Sequence, residues 1–292
     1  MEKITQSQIE EWITEKATGT FHYTAVLDGL LKKNIALHSQ LRTIMLRCKT
    51  KGIAYPVGGK DGWWRPADNS LEELQWWDSD EIADDNLVLP LGLNNYCVIP
   101  RPSLVVVAGR YNAGKSAFCL NTVNLNIPKW GGYLDFYVSE GAEMLKPKFA
   151  KLDITGAPVF RTYRRTENFA DVIEPDNLSV IDYLRVDMEQ SYAVSAKLFE
   201  IFKKLNTGIA VVAMQKPPGD RMLAFGGAST AFEPTLYIGM ESISANAGWV
   251  GFEKIKIVRP YGGFDPYQIR INYKIESGVK FYDVSGPKSI DK

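Results

Sequence analysis

Residues 109–116 read G-R-Y-N-A-G-K-S, and this spacing of glycines, lysine and serine predicts a phosphate-binding loop. In such a loop, backbone N–H groups at the start of a helix surround a phosphate, while the lysine reaches the β- and γ-oxygens. The serine hydroxyl binds Mg²⁺, and the glycines permit a tight turn and close approach to the ligand. We therefore expect ATP and Mg²⁺ to be bound by Gly109, Arg110, Tyr111, Asn112, Ala113, Gly114, Lys115, Ser116 and Ala117.

The elements on either side of this loop have the order that a phosphate site needs. An apolar stretch, "SLVVVAG", predicts a buried strand that ends at the loop, and "AFCLNTVNL" predicts a helix that begins there. From Pro102 onward, apolar strands alternate with helical stretches, which predicts an α/β domain with a mostly parallel sheet covered by helices. Two late segments, "YQIRINYKI" and "GVKFYDV", read as antiparallel strands that close the sheet.

Three further strands end in polar residues that suit phosphoryl chemistry. "LSVIDYL" carries Asp182, a carboxylate that can hold the water shell of Mg²⁺ beside Ser116. "YLDFYVSE" ends in Glu140, a predicted base for the attacking water; the alternative is a helix cap or surface carboxylate before "GAEMLKPKF". "GIAVVAMQ" ends in Gln215, whose amide can sense the γ-phosphate. We expect Lys115, Glu140, Asp182 and Gln215 to form the catalytic set.

The order of these motifs resembles the RecA/DnaB superfamily of ATPases. "AGRYNAGKSAFCLN" is similar to the phosphate loop and first helix of DnaB-type replicative helicases, "FYVSEGAEM" stands where that family has its catalytic glutamate, and "VIDYL" matches its second nucleotide motif. The resemblance covers about residues 100–285. It implies a RecA-like core that works as a homo-oligomeric ring or filament.

Two sets of cations follow from that resemblance. In the family, the segment after the sensor glutamine touches single-stranded DNA, which implicates Lys216 and Arg221; an ordinary surface loop is the alternative. The family also completes its site with a cation from the next subunit, and "EKIKIVRP", which we expect to form one late strand, offers Lys256 and Arg259. A further group, Arg161, Arg164 and Arg165, forms a basic patch for nucleic acid or a neighbouring subunit, or a solvated face.

Residues 1–67 depart from the resemblance. Helical patterns followed by a strand, a Gly-rich turn and a second strand predict a small winged helix-turn-helix domain. Its third helix is the expected reader of a DNA groove, with exposed cations that we take as DNA-binding residues: Arg42, Arg47, Lys49 and Lys51. Small helical modules with a wing also serve as protein-docking or oligomerisation domains, so a protein partner is the alternative.

Composition sets the remaining expectations for the 292 residues. An acidic linker is expected over residues 68–99, the ATPase domain over 100–285 and a tail over 286–292. Zero formal net charge excludes a globally basic coat protein but not a local basic face. No apolar run approaches the length of a membrane span, and the three scattered cysteines suit a reducing cytoplasm.

Three functions remain open from the residues. The first is a DNA-dependent ATPase of RecA/DnaB type acting on single-stranded DNA or other nucleic acid, in its sharpest form a helicase or replication protein of a phage, plasmid or mobile element. The second is an ATP-switched DNA-binding regulator, loader, recombination or defence protein that separates no strands. The third is a small-molecule kinase, which the sequence disfavours because no arginine-rich lid segment lies between the motifs.

Overall fold

A computed structural model describes residues 4–30, 38–71, 77, 86–185, 193–217, 222–260, 262–263 and 265–289. The chain forms two compact units, Met1–Ser79 and Asp80–Lys292. Within the described ranges, no helix combines the length and apolarity that crossing a membrane requires.

The N-terminal unit consists of helices and short strands around one small core. Helix α1 (Gln6–Glu15) begins at a capping box, in which Thr5 and Gln8 bond each other's backbone N–H groups. The other elements are β1 (Phe21–His22), α2 (Ala25–Gly29), α3 (His38–Thr50), β2 (Ala54–Pro56) and β3 (Trp63–Pro66). The three strands pair antiparallel in the order β1-β3-β2. Apolar side chains of all three helices meet the inward Trp64 in this core.

The larger unit alternates strands and helices before ending in antiparallel strands. Its strands are β4 (Ser103–Gly109), β5 (Leu134–Val138), β6 (Arg161–Arg164), β7 (Leu178–Leu184), β8 (Ile209–Gln215), β9 (Leu236–Ser244), β10 (Ala247–Ile255), β11 (Ile269–Glu276), β12 (Lys280–Tyr282) and β13 (Lys288–Ser289). Its helices are α4 (Lys115–Trp130), α5 (Ala142–Ala150) and α6 (Ala193–Lys204).

These strands form one ten-stranded sheet in the order β12-β11-β10-β9-β4-β8-β7-β5-β6, with β13 paired to β11. The run from β9 to β6 is parallel, and β10 to β13 are antiparallel. Strand β4 is buried along its whole length because apolar layers cover both faces of the sheet. The predicted α/β class, a mostly parallel sheet with antiparallel C-terminal strands, is confirmed. The small helix-and-sheet unit before it is compatible with the predicted first domain.

Three segments differ from their sequence-based description. The part of the expected linker from Asn86 to Ile99 packs into the core of the larger unit, because its apolar side chains are buried there. The strand expected through "EKIKIVRP" ends at Ile255, and the following residues pair with the 96–98 segment instead. Within the expected tail, β13 pairs with β11.

Candidate nucleotide site

The loop that joins β4 to α4 has the backbone that a phosphate cradle requires. Gly114, the N-cap of α4, has φ +87°, and Asn112 has φ +60°. A side chain at Gly114 would be strained by this φ, and its Cβ would lie 2.5 Å from the Ile275 Cδ1 atom. The glycine is therefore required by the turn, and the Ile275 side chain of β11 would have to shift to admit any larger residue.

Lys115 lies over the loop with its ammonium fully engaged. Its Nζ donates to the carbonyl oxygens of Gly109 at 3.0 Å and Arg110 at 2.8 Å, and to the Gln215 amide oxygen at 3.2 Å. Burial lowers the pKa of Lys115, and the nearby Asp182 carboxylate opposes that shift. The lysine is thus a desolvated cation held by neutral acceptors that a phosphate can replace.

Ser116 and Asp182 form the part of the site that suits a metal ion. The Ser116 hydroxyl donates to Asp182 Oδ1 at 3.2 Å across the gap between α4 and β7. Burial raises the pKa of Asp182, the Ser116 hydrogen bond opposes this, and the negative charge of Glu140 adds to it. One hydroxyl and one carboxylate are the few oxygen ligands that Mg²⁺ takes from a protein when waters and phosphate complete its shell. These residues therefore fit Mg²⁺.

Glu140 follows β5 and faces the same space. Its Oε2 accepts from the Lys148 ammonium on α5 at 2.5 Å, and both side chains are partly exposed. The structure thus places Glu140 beside the loop, as a base requires, but with one carboxylate oxygen occupied by a cation.

A cavity of about 400 Å³ joins these groups. Four strand ends contribute to it, because β4, β5, β7 and β8 are parallel and their carboxyl ends meet at one edge. Its lining includes the predicted residues Tyr111, Asn112, Gly114, Lys115, Ser116, Ala117, Glu140, Asp182 and Gln215. Gly109, Arg110 and Ala113 shape the loop without lining the cavity. The convergence of all four predicted catalytic residues is a finding, and their chemical roles remain predictions.

The local sequence gives little or no indication that several further residues belong to this site. Tyr273 of β11 donates its hydroxyl to the Ala113 carbonyl at 2.6 Å and braces the loop from behind. Asn246, in the turn between β9 and β10, lines the cavity. For Lys148, the one indication in the sequence that it could reach Glu140 is its position on α5, the helix that begins just after Glu140.

Lys216, the first cation after the sensor strand, does not line this cavity. Lys216 was predicted to touch DNA, but its side chain is 1% exposed and forms an ion pair with Glu241 of β9. The reason is alternation: Gln215 faces the nucleotide cavity, so the next side chain points to the opposite side. Arg221 lies outside the described residues.

The cations predicted to act on a neighbouring subunit lie in the segment that follows β10. Lys256 is exposed, and its backbone N–H donates to Thr235. The Arg259 N–H donates to Tyr96. Neither residue lines the nucleotide cavity of its own chain.

The arginines near β6 are partly committed within the fold. Arg161 makes a two-pronged ion pair with Asp135 at 2.7 and 3.1 Å, and Arg165 donates to two backbone carbonyls. Arg164 is exposed.

The N-terminal cations are found on and just after α3. Arg42, Arg47 and Lys49 are exposed on this helix. Lys51 is exposed too, but its ammonium pairs with Glu10 of α1 at 2.8 Å. Three of the four predicted DNA-binding residues of this unit thus project from a single helix.

No family model matches the chain, and no curated protein matches it. Among solved structures, the chain is similar to a KaiC-like protein from the hyperthermophilic archaeon Pyrococcus horikoshii OT3, at 18% sequence identity and a TM-score of 0.44. That likeness covers 63% of this chain and 91% of the other. A similarity of this size says nothing about what this chain binds, so its function has to be argued from the geometry above.

Proposed function

We propose that the chain is an ATPase whose active site is the cavity at the carboxyl ends of β4, β5, β7 and β8. The observation that carries this proposal is convergence. A loop with a left-handed glycine, a desolvated lysine, a hydroxyl–carboxylate pair and a second carboxylate all face one space of about 400 Å³. Main-chain N–H groups at the start of α4 suit a phosphate, and the lysine suits its oxygens.

In this proposal, binding of the triphosphate rearranges Lys115. Its three present acceptors are neutral oxygens, and the β- and γ-phosphate oxygens are stronger acceptors because they are charged. When Lys115 turns to them, the Gln215 amide loses its lysine partner. Gln215 then becomes free to bond the γ-phosphate and to report its loss.

The hydrolytic step uses both acids. Ser116 and Asp182 would hold Mg²⁺, which when bound neutralises charge on the transferred phosphoryl group. The Glu140 carboxylate takes a proton from water as the water oxygen bonds to the γ-phosphorus and the bond to the bridging oxygen of ADP breaks. For that, Glu140 must exchange its Lys148 hydrogen bond for one from water.

The finer parts of the proposal concern nucleic acid and assembly. We propose that the enzyme acts on single-stranded DNA or another nucleic acid as a homo-oligomeric ring or filament, with Lys256 or Arg259 completing the site of the adjacent copy. A helicase or replication protein of a phage, plasmid or mobile element is the sharpest form. The cytoplasm is its proposed location, because the three cysteines are buried free thiols.

The N-terminal unit supports a role in binding DNA or a protein partner. Its order of three helices and a hairpin, with a short strand inserted after α1, supports a winged-helix domain. The exposed cations of α3 suit phosphate contacts.

ATP hydrolysis measured with and without single-stranded DNA tests the proposal. Glu140→Gln should keep ATP affinity and lower turnover by about 10²- to 10⁴-fold, because the base is lost but the phosphate loop stays. Glu143→Gln is the matched control, since this exposed acid on α5 should leave turnover unchanged. Normal turnover by Glu140→Gln would refute the base assignment, and absence of ATP binding by the unaltered chain would refute the ATPase.

A second function, an ATP-switched DNA-binding protein, is favoured by one contact. The Lys148 ammonium donates to a Glu140 carboxylate oxygen, which suits slow hydrolysis and a long-lived ATP-bound state. Nucleotide-dependent assembly on DNA, with slow turnover and no strand separation, would select this function over the helicase.

A further inference from the structure

A pocket of about 360 Å³ lies within the N-terminal unit, between α3 and the β2–β3 hairpin. Its lining includes Arg42 and Leu46 of α3, Lys60 and Trp63 of the hairpin, and Tyr23, which directly follows β1. Arg42 and Leu46 are one helical turn apart and therefore face the pocket together. The ATPase site uses none of these residues.

The aromatic side chains of this pocket leave an indole open to solvent. Trp64 points into the core and is 8% exposed, whereas its neighbour Trp63 points outward and is 38% exposed. The Trp63 and His22 rings meet in an edge-type contact with their centres 6.0 Å apart, which helps to fix the indole. Leu46, 60% exposed, extends this apolar surface.

The charges around the indole are mostly positive. The Arg42 guanidinium lies 5.5 Å from the centre of the Tyr23 ring, and the Lys60 ammonium lies 5.6 Å from that of Trp63. Among the ion pairs recorded for the described residues, none involves Arg42 or Lys60, whereas Lys51 on the same unit is paired with Glu10. Asp61 is the single carboxylate in the lining. The pocket therefore favours an anionic ligand.

We propose that this pocket binds a nucleotide unit of a single-stranded nucleic acid, with its base stacked on Trp63 and its phosphates held by Arg42 and Lys60. Cations interleaved with an open aromatic face are the features that single strands require. A base-paired duplex keeps its base faces stacked inside and offers none to an indole. An acidic peptide would use the cations but has no need of the flat ring.

This inference refines the DNA-binding role proposed for the N-terminal unit, in which α3 was expected to read a groove. Lys60 lies over the indole face that the base would take, and its exposed, flexible side chain can move to the adjacent phosphate. The base replaces the ammonium above the ring, and the ammonium gains an anionic partner in the phosphate.

The test is anisotropy of labelled dT20, rU20 and a 20-base-pair duplex with the full chain in the absence of nucleotide. Trp63→Ala should weaken dT20 binding by about 5- to 150-fold, the range for one lost stacking contact. Trp63→Phe should retain most of the affinity, because a phenyl ring still stacks. Lys16→Ala, an exposed cation at the end of α1 and outside the pocket lining, is the control and should change affinity by less than about threefold.

A second measurement places the contact on the chain. A single strand carrying 5-iodouracil should photo-crosslink to the peptide that contains Trp63. The proposal is overturned if the duplex binds as tightly as dT20 while Trp63→Ala has no effect, or if polyglutamate displaces dT20 and the Ala and Phe variants behave alike. Equal binding of rU20 and dT20 supports the proposal and shows that the pocket ignores the sugar.

Failure of this inference is separable from failure of the ATPase. A Lys115→Ala chain should hydrolyse ATP about 10²- to 10³-fold more slowly and still crosslink at Trp63. Conversely, a Trp63→Ala chain should keep its basal hydrolysis in the absence of DNA, because Trp63 and the nucleotide cavity lie in separate units.

Discussion

Two lysines in the larger unit, one partly buried and one fully buried, show how differently one side chain can be used. Lys115 bonds three neutral oxygens at the open edge of the sheet, where an anionic ligand can compete for it. Lys216 is enclosed and paired with Glu241, a carboxylate of the protein itself. Both were expected to bind phosphates, of ATP and of DNA respectively. The difference teaches that a lysine is available to a ligand when its present partners are weaker acceptors than that ligand.

Tyr273 lies near both the Lys216–Glu241 pair and the phosphate loop. Burial raises the pKa of Tyr273, and the negative charge of Glu241 contributes to the rise. The Tyr273 hydroxyl in turn donates to the loop at Ala113. Tyr273 is thus affected by the charge of Glu241 and also contacts the phosphate loop.

The largest expected effect comes from breaking the enclosed pair. Lys216→Ala should lower the free energy of unfolding by about 3–5 kcal/mol, because Glu241 is left buried without a counter-charge. The combined change Lys216→Met with Glu241→Leu should recover most of that loss, since it removes both charges. Urea unfolding of the single and double variants measures both effects. If Lys216→Ala unfolds like the parent chain, Lys216 is not held as the structure shows.

Lys115→Ala should show the opposite profile, losing function but little stability. Removal of the cation should lower ATP turnover by about 10²- to 10³-fold, as for loss of a preorganised donor to phosphoryl charge. Unfolding should change by less than about 1 kcal/mol, because relief of the buried charge offsets the lost hydrogen bonds. Lys204→Ala, an exposed lysine in the last turn of α6, is the control for both measurements. A large stability loss in Lys115→Ala with unchanged turnover would reverse the distinction between the two lysines.

The residues that meet at the nucleotide-binding edge of the sheet could be predicted from the sequence, because their positions depend on the order of neighbouring elements along the chain. A loop between a buried strand and a helix, followed by strands that end in polar residues, places Glu140, Asp182 and Gln215 together once the strands are parallel. The α/β class followed from the same alternation. The late antiparallel strands were also visible, because their apolar residues alternate along the chain.

What the sequence did not reveal depends on pairing between distant segments. The burial of Lys216 needs Glu241 on a neighbouring strand pair, although alternation from Gln215 already indicated that the two side chains point in opposite directions. The contact of Tyr273 with Ala113 joins residues 160 positions apart. The early end of β10 at Ile255 arises because the next residues pair with the 96–98 segment, which had been assigned to a linker.

The smallest expected effect tests whether Tyr273 connects the surroundings of Lys216 to the phosphate loop that carries Lys115. Tyr273→Phe removes the hydroxyl that bonds Ala113 and leaves a buried carbonyl unpaired, which should cost about 1–3 kcal/mol of unfolding free energy. Because the loop is braced from behind, ATP affinity should weaken by a few-fold while turnover at saturating ATP stays near that of the parent chain. Tyr267→Phe is the matched control, since that hydroxyl bonds Ile255 away from the nucleotide cavity. Normal ATP affinity in the Tyr273→Phe chain, despite reduced stability, would show that the phosphate loop keeps its shape without the Tyr273 hydrogen bond. The region around Lys216 and Glu241 would then serve folding alone.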